Sequence, residues 1–599
     1  MRNGIRATAV LCMAVLFGGC GTQPVQSTAG RMSARSDAAD AVIDHYRREI
    51  PHLMEEQGIP GLAVAVVDDH GVVWSEGFGV ADSHTSAPIT PDTLFSLQST
   101  SKTFTATAVL LAVQDGLLDL DEPITTYLPD FTVQSIFEDR AESRITLRHL
   151  LSHTAGFTIE APIGNNWDGD ADSFDAHIAS ISDTWLRFPV GSGYAYSNLD
   201  IDLAGDILQT VTGQAFADYV QARLLEPLGM LDASFDAEVI TAADDLAIGK
   251  GLPVRKFWAV PMVPSGGLYS SVNDLARFLE FQLADGSIDG HTLLDPALID
   301  EMRTVQFPER GGGYGYGLGV GRTGWYQGAN ADLFSHGGGG FGFRSDLFWL
   351  PELQLGIGVL FNSADHDLQG NLALGILDDL VHEAPYRDRL RALPDHARVS
   401  EDWDDWLPPP SLAADIRAHA MAPDESHWQS YLGEYQTPTL GSLEITEPAS
   451  RLFEDGGRLY FDGSDSDDET YLLHQVEPGL FVTETGEVLD LQTEPFTFRN
   501  LELTPVGSGP APVARVLLAL CGLVMLAAVL PTPLRRLGWA HPPRSTEPAG
   551  TSPGRAMRSA VLAAAIATSV AGLASIVLVA YSHASSTWAT WGGRTSPRG

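Results

Sequence analysis

Two pairs of strand-forming runs, far apart in the chain, bracket a stretch whose apolar residues fall at helical spacing. Residues 61–67, Gly-Leu-Ala-Val-Ala-Val-Val, are apolar without alternation, the pattern of a strand covered on both faces. A turn at Asp68-Asp69-His70-Gly71 leads into Val72-Val73-Trp74-Ser75, and residues 345–350 and 355–362 form a second pair around Pro351-Glu352. Between the pairs, residues 99–115 are apolar almost all round, so a helix there must be buried. Residues 41–57, 200–212 and 271–283 are further helices, the last opened by a Ser271/Asp274 capping pair. Strands from both ends of one segment with helices between them predict an α+β unit over residues 41–385, an antiparallel sheet flanked by helices.

The rest of the chain divides by composition. Residues 1–20 read as a secretory signal: Arg2 and Arg6, a short apolar run, then Gly18-Gly19-Cys20. Leu16-Phe17-Gly18-Gly19-Cys20 resembles a bacterial lipobox, which implies lipidation of Cys20. Residues 21–40 read as a linker. Residues 386–425 are rich in Pro and Asp, including Pro408-Pro409-Pro410, and read as a second linker. Short runs such as Leu459-Tyr460-Phe461 and Leu480-Phe481-Val482, separated by Gly and Asp turns, make 426–508 a small β-barrel or sandwich.

Residues 513–534 and 559–581 are apolar enough for two transmembrane helices. The loop 535–558 between them carries Arg535, Arg536, Arg544, Arg555 and Arg558, which places it in the cytoplasm. The exported part and the tail 582–599 are then outside, anchored to membrane lipid by the hairpin and by Cys20, in the bacterial cell envelope. Acidic residues outnumber basic ones 77 to 36, for a net charge of -41, which excludes a nucleic-acid partner. Of the three cysteines, Cys12, Cys20 and Cys521, none is placed for a disulfide framework or a metal site. The acidic run at 168–175 lacks the sixth-position Gly and twelfth-position Glu of a calcium loop, and it and 465–469 read as solvated surface.

Three short motifs carry chemistry. Ser99-Thr100-Ser101-Lys102 opens the buried helix, where residues three apart share a face and the Ser99 hydroxyl can meet the Lys102 amine. Burial disfavours the ammonium form, so Lys102 is drawn toward use as a base. Tyr196-Ser197-Asn198 offers a phenol for proton transfer and an amide that can orient a substrate carbonyl. His336-Gly337-Gly338-Gly339-Gly340 precedes a strand, and its glycines allow close approach to backbone N–H groups. Each is weak alone; taken in isolation, a loop tyrosine or a Gly-rich turn explains the second or third better.

As an ordered set they resemble the serine β-lactamase and penicillin-binding-protein superfamily, in the branch that holds class C β-lactamases, DD-peptidases and related esterases. The blocks Leu150-Leu151-Ser152-His153-Thr154-Ala155-Gly156, Ser265-Gly266-Gly267-Leu268-Tyr269-Ser270-Ser271 and Tyr314-Gly315-Tyr316-Gly317-Leu318-Gly319 strengthen the resemblance. It implies Ser99 as nucleophile, Lys102 and Tyr196 as the proton-transfer pair, and Asn198, His336, Gly338 and Gly339 as substrate contacts. The N–H groups of Ser99 and Gly339 would hold the oxyanion, with His153 structural and no cofactor or metal. His336 stands where true class C β-lactamases carry lysine, and a histidine is only partly charged near neutral pH. The expectation is a membrane-anchored, externally facing serine hydrolase acting on a small-molecule or peptide ester or amide through an acyl-enzyme. The alternatives are a β-lactamase proper, or a non-catalytic envelope protein that binds cell-wall peptides.

Overall fold

The computed structural model describes residues 37–505 apart from 83–84, 165–172, 251–260, 308–313, 327–328, 396–405, 437–449, 463–469, 493–496, 499–500 and 503. The export signal with Cys20, most of the first linker, both expected membrane helices, their Arg-rich loop and the tail lie outside the described residues. Among the described residues no helix is long and apolar enough to cross a membrane.

The central sheet has eight antiparallel strands. Their order is Ala87–Pro88, Gly71–Asp82, Gly61–Asp68, Leu355–Phe361, Phe343–Leu350, Asp332–Gly340, Gly321–Trp325 and Tyr314–Tyr316. The two strand pairs therefore join edge to edge: Leu62 faces Phe361, and Phe361 faces Arg344. Alternation sorts the continuous apolar run into two cores. Ala63, Ala65 and Val67 point into the larger one, shared with most of the helices. Leu62, Val64 and Val66 point the other way, against Ile43 and Ile50 of helix Asp37–Gln57 and Leu372, Ile376 and Leu380 of helix Asn371–Val381. A strand with helices on both faces has no solvent side, which is why its sequence does not alternate.

Helix Val272–Leu283 lies directly on the sheet. Leu275 and Leu279 seat against Gly358 and Gly356, where a Cβ would meet them at 3.3 and 3.1 Å. Ser271 caps this helix as expected, its hydroxyl accepting the Asp274 N–H at 3.1 Å. Behind it runs helix Ser101–Gln114, buried from Ser101 through Ala112, with the Phe104 and Phe278 rings 4.1 Å apart.

Two linker boundaries need correction. The first helix begins at Asp37, inside the expected 21–40 linker, because Ala39 packs into the second core. The 386–425 stretch is structured where described. Helix Tyr386–Ala392 sets Tyr386 and Leu390 on the second core. Strand Trp406–Leu407 pairs with Tyr194–Ala195, and helix Leu412–His419 buries Leu412 and Ile416. Prolines and aspartates mask these apolar anchors, which recur at intervals of four.

The remainder is one nine-stranded sheet. At one end of its strand order is Leu501–Glu502 and at the other Thr504–Pro505, separated by a single residue in the chain. The sheet is therefore rolled until its ends meet, the barrel form of the two expected. Its interior is lined by Trp428, Leu452, Phe461 and Phe481. Leu480, Val482 and Val488 turn instead to Phe188, Ala195, Leu412 and Ile416, and the Arg187–Glu487 ion pair at 2.5 Å closes this joint.

Candidate active site

The turn before the buried helix is pinned from two sides. The Leu97 N–H donates to the Leu268 carbonyl at 2.9 Å, and the Ser345 hydroxyl donates to the Leu97 carbonyl at 2.7 Å. Thr100 Oγ1 lies 2.8 Å from Ser345 Oγ, locking the next turn to the sheet. Gln98 is held at φ +50°, a left-handed backbone that glutamine adopts only when its surroundings impose it. A 3-10 turn, Gln98–Thr100, then feeds helix Ser101–Gln114. Ser99 is half-buried between buried Gln98 and buried Thr100, so its hydroxyl reaches the surface while Lys102 lies fully enclosed behind it.

The Lys102 nitrogen lies 3.1 Å from Ser99 Oγ, 2.7 Å from Asn198 Oδ1 and 2.9 Å from the Ser265 carbonyl oxygen. Amide and carbonyl oxygens only accept, so a neutral amine spends its two N–H groups on them and turns its lone pair toward the serine. Burial drives the Lys102 pKa down to about 7, against the opposing charges of Asp202 and Glu160. The same nitrogen is 5.0 Å from the centre of the Tyr196 ring. The Tyr196 ring, distant in sequence from Ser99 and Lys102, thus lies beside the amine.

Tyr196 follows strand Tyr194–Ala195, and Asn198 opens helix Asn198–Thr212, capped by Ser197. Both ends of the Asn198 amide are engaged, Oδ1 by Lys102 and Nδ2 by Glu160 Oε1 at 2.9 Å. Burial raises the Glu160 pKa to about 7, opposed by its bond from Asn198. Asn198, expected on the substrate, is in this state a partner of the lysine.

His336 stands on strand Asp332–Gly340. Its Nδ1 is 2.7 Å from the Gly337 carbonyl and carries the hydrogen; its Nε2, 2.8 Å from Tyr316 Oη, accepts from the phenol. Both ring nitrogens are satisfied in the neutral form, and burial, reinforced by the Lys102 charge, pulls the pKa down to about 3. The partial charge expected from the sequence is absent.

Strand Gly321–Trp325 pairs with Asp332–Gly340 only as far as Ser335, and beyond it the glycines approach the Ser99 turn. A Cβ on Gly338 would fall on the Leu97 carbonyl oxygen and 3.0 Å from the Ser99 nitrogen, so only glycine fits. Gly339 follows on the same strand, paired with Arg344. His153 is fully buried, its ring 4.6 Å from Tyr196 and 4.9 Å from Tyr316. Its Nδ1 sits 3.1 Å from Asp200 Oδ2; burial pushes the carboxyl well up and the imidazole well down. This enclosed pair under the Tyr196 ring is a seat for it.

With this geometry in view, the relatives are informative. A profile of the family described as Beta-lactamase matches residues 46–378, more than half of the chain. The chain belongs to the beta-lactamase family. Esterase EstB of Burkholderia gladioli is 31% identical over 398 residues, covering 59% of this chain and 97% of the esterase. Protein flp of Staphylococcus aureus is 26% identical over 322 residues, covering 52% of this chain and 61% of flp. The solved structure of an octameric penicillin-binding protein homologue from Pyrococcus abyssi superposes with a TM-score of 0.50 at 22% identity, covering 76% of this chain and 95% of that one. This beta-lactamase family chain is a serine hydrolase.

Several site residues escape sequence reading. Ser265 and Tyr316 lie in family-like blocks but carry no visible role. Glu160 sits in a loop with no specificity code, Asp202 reads as a polar residue of an ordinary helix, and nothing in the sequence singles out His177. Burial is what gives them meaning, and burial of a polar side chain has no sequence signal. Among the described residues, Asp68, Asp69 and His70 are close enough together to share a cation. They lie at the opposite end of the sheet strands from the glycines, with Tyr386 on Asp68 and Arg389 on Asp69.

Proposed function

We propose that the chain cleaves an ester, or a small amide or peptide, through an acyl-enzyme on Ser99. The observation that carries this reading is the lysine: fully enclosed, with two acceptors fixing its N–H groups and the Ser99 hydroxyl 3.1 Å away. The Ser99 proton passes to Lys102 as the oxygen attacks the carbonyl carbon. The oxyanion rests on the N–H groups of Ser99 and Gly339. The Lys102–Tyr196 pair returns the proton to the leaving group as its bond breaks, leaving an acyl ester on Ser99. Water then gives a proton to the same pair and attacks the ester; the Ser99–acyl bond breaks, the pair returns that proton to Ser99 Oγ, and the acid leaves. Each oxyanion donor contributes about 10²–10³ in rate.

Neutral His336 supplies no fixed cation at the third motif, so a substrate carboxylate beside the scissile bond gains little there. This favours an ester or uncharged amide over a β-lactam, in keeping with the relative named as an esterase. The signal at 1–20, Cys20 and the Arg-flanked apolar runs support a place outside the cytoplasmic membrane, anchored to its lipid. One panel tests the activity: p-nitrophenyl esters, D-Ala-D-Ala peptides and nitrocefin, each against Ser99→Ala. Ester turnover lost in Ser99→Ala is the expected result. Faster nitrocefin than ester hydrolysis would transfer the assignment to a β-lactamase, and no turnover with no serine labelling would leave a binding protein.

A further inference from the structure

Behind the lysine lies a second polar layer that none of these steps uses. The Ser265 carbonyl accepting from Lys102 belongs to the short turn Val263–Gly266. The Ser265 N–H donates to Asp202 Oδ1 at 2.9 Å and its hydroxyl to Asp202 Oδ2 at 3.0 Å. Asp202 is wholly buried and also meets His177 Nε2 at 3.0 Å. His177 Nδ1 donates to the Ile163 carbonyl at 2.7 Å. One nitrogen of that ring faces a carbonyl and the other a carboxylate, the donor pattern of an imidazolium on an aspartate.

An amine on a flexible stem has no preferred rotation about its last bond, so whatever fixes its acceptors fixes its lone pair. Asn198 is one acceptor, steadied by Glu160. Ser265 is the other, and two of its polar groups close on a single carboxylate. We propose that Asp202, seated on His177, is a positioning residue that holds the Ser265 carbonyl on Lys102 and so aims the lysine lone pair at Ser99. The inference rests on the roles given above to Ser99 and Lys102. Asp202 also adds negative charge beside the amine, in a pocket where Lys102 is faced by Tyr196, His153, His336 and Glu160, with His177 behind Asp202.

The test is the rate at which a fluorophosphonate labels Ser99 in the full chain, followed across pH, with end-point labelling to count folded sites. Removing the Asp202 charge disfavours the ammonium, so neutral lysine forms at lower pH. Asp202→Asn is expected to shift the acidic limb about one pH unit lower and to cut the plateau rate about tenfold. Ser265→Ala keeps the carbonyl and the carboxylate but loses one tie, and is expected to cut the plateau about threefold with the limb in place. An Asp202→Asn chain that labels at the wild-type rate, or slows with its acidic limb unmoved, overturns the proposal. If that variant yields no folded sites, Ser265→Ala decides, and a wild-type rate there overturns it. A wild-type chain that labels no faster than Ser99→Ala overturns both this inference and the reading beneath it.

Discussion

Lys102 belongs to a helix buried from Ser101 through Ala112, and Ser99 to the turn that feeds it. Tyr196 and Asn198 are delivered differently. The strand before them, Tyr194–Ala195, is two residues long, and its partner Trp406–Leu407 comes from the Pro-rich stretch leading to the barrel. Ala195 and Phe188 pack against Leu412, Ile416 and the barrel residues Leu480, Val482 and Val488. One wall of the cleft is self-supporting; the other leans on segments more than two hundred positions downstream. The proposed proton-transfer pair therefore joins a half held by its own core to a half braced by downstream segments.

The strongest perturbations fall on the enclosed wall. Ser99→Ala should remove probe labelling and lower ester turnover by about 10⁴-fold or more, read as kcat. Lys102→Met keeps the volume of the stem and removes the base, for an expected loss of about 10²–10⁴ in kcat. Labelling that survived in Lys102→Met at the wild-type rate would break the comparison, since the enclosed wall would then not be the chemical one.

A pH profile sharpens it. With the Lys102 pKa lowered to about 7, the wild-type rate should climb as pH rises through that value, because only the neutral amine accepts the serine proton. His336, lowered to about 3, contributes no step near neutrality. An acidic limb that vanished in a His336→Gln variant but stayed in wild type would reassign the titration.

The smallest effect belongs to the leaning wall. A Cβ at Gly193 would sit 2.9 Å from Pro409 Cδ and 3.0 Å from the Leu407 carbonyl oxygen. Gly193→Ala should push the Trp406–Leu407 strap away and lower kcat about three- to tenfold, with the overall fold retained by circular dichroism. An unchanged kcat would show that Tyr196 is held without the strap.

The contrast also explains what could be read in advance. Ser99, Lys102, Tyr196 and the glycines announce themselves because motif spacing is local: a Ser-x-x-Lys step, three residues in a loop, a run beside a strand. The sheet was legible for a similar reason, since unbroken apolar runs such as 61–67 have few other uses. The strap was not. Trp406–Leu407 is two residues among prolines and aspartates, and its meaning comes from a partner strand far upstream. The second polar layer was hidden because Asp202 looks like a solvent-facing helix residue, and nothing marks His177, until packing encloses them. The charge of His336 was misjudged because it depends on which neighbour each ring nitrogen meets, Gly337 on one side and Tyr316 on the other.

The rolled nine-stranded sheet carries a consequence for crowding. An open sheet of that size would present two free ladders of amide and carbonyl groups, templates onto which another copy could zip. By bringing Leu501–Glu502 and Thr504–Pro505 round to complete the circle, the domain consumes its own margins. Copies packed side by side then meet no frayed rim among the described strands of this domain.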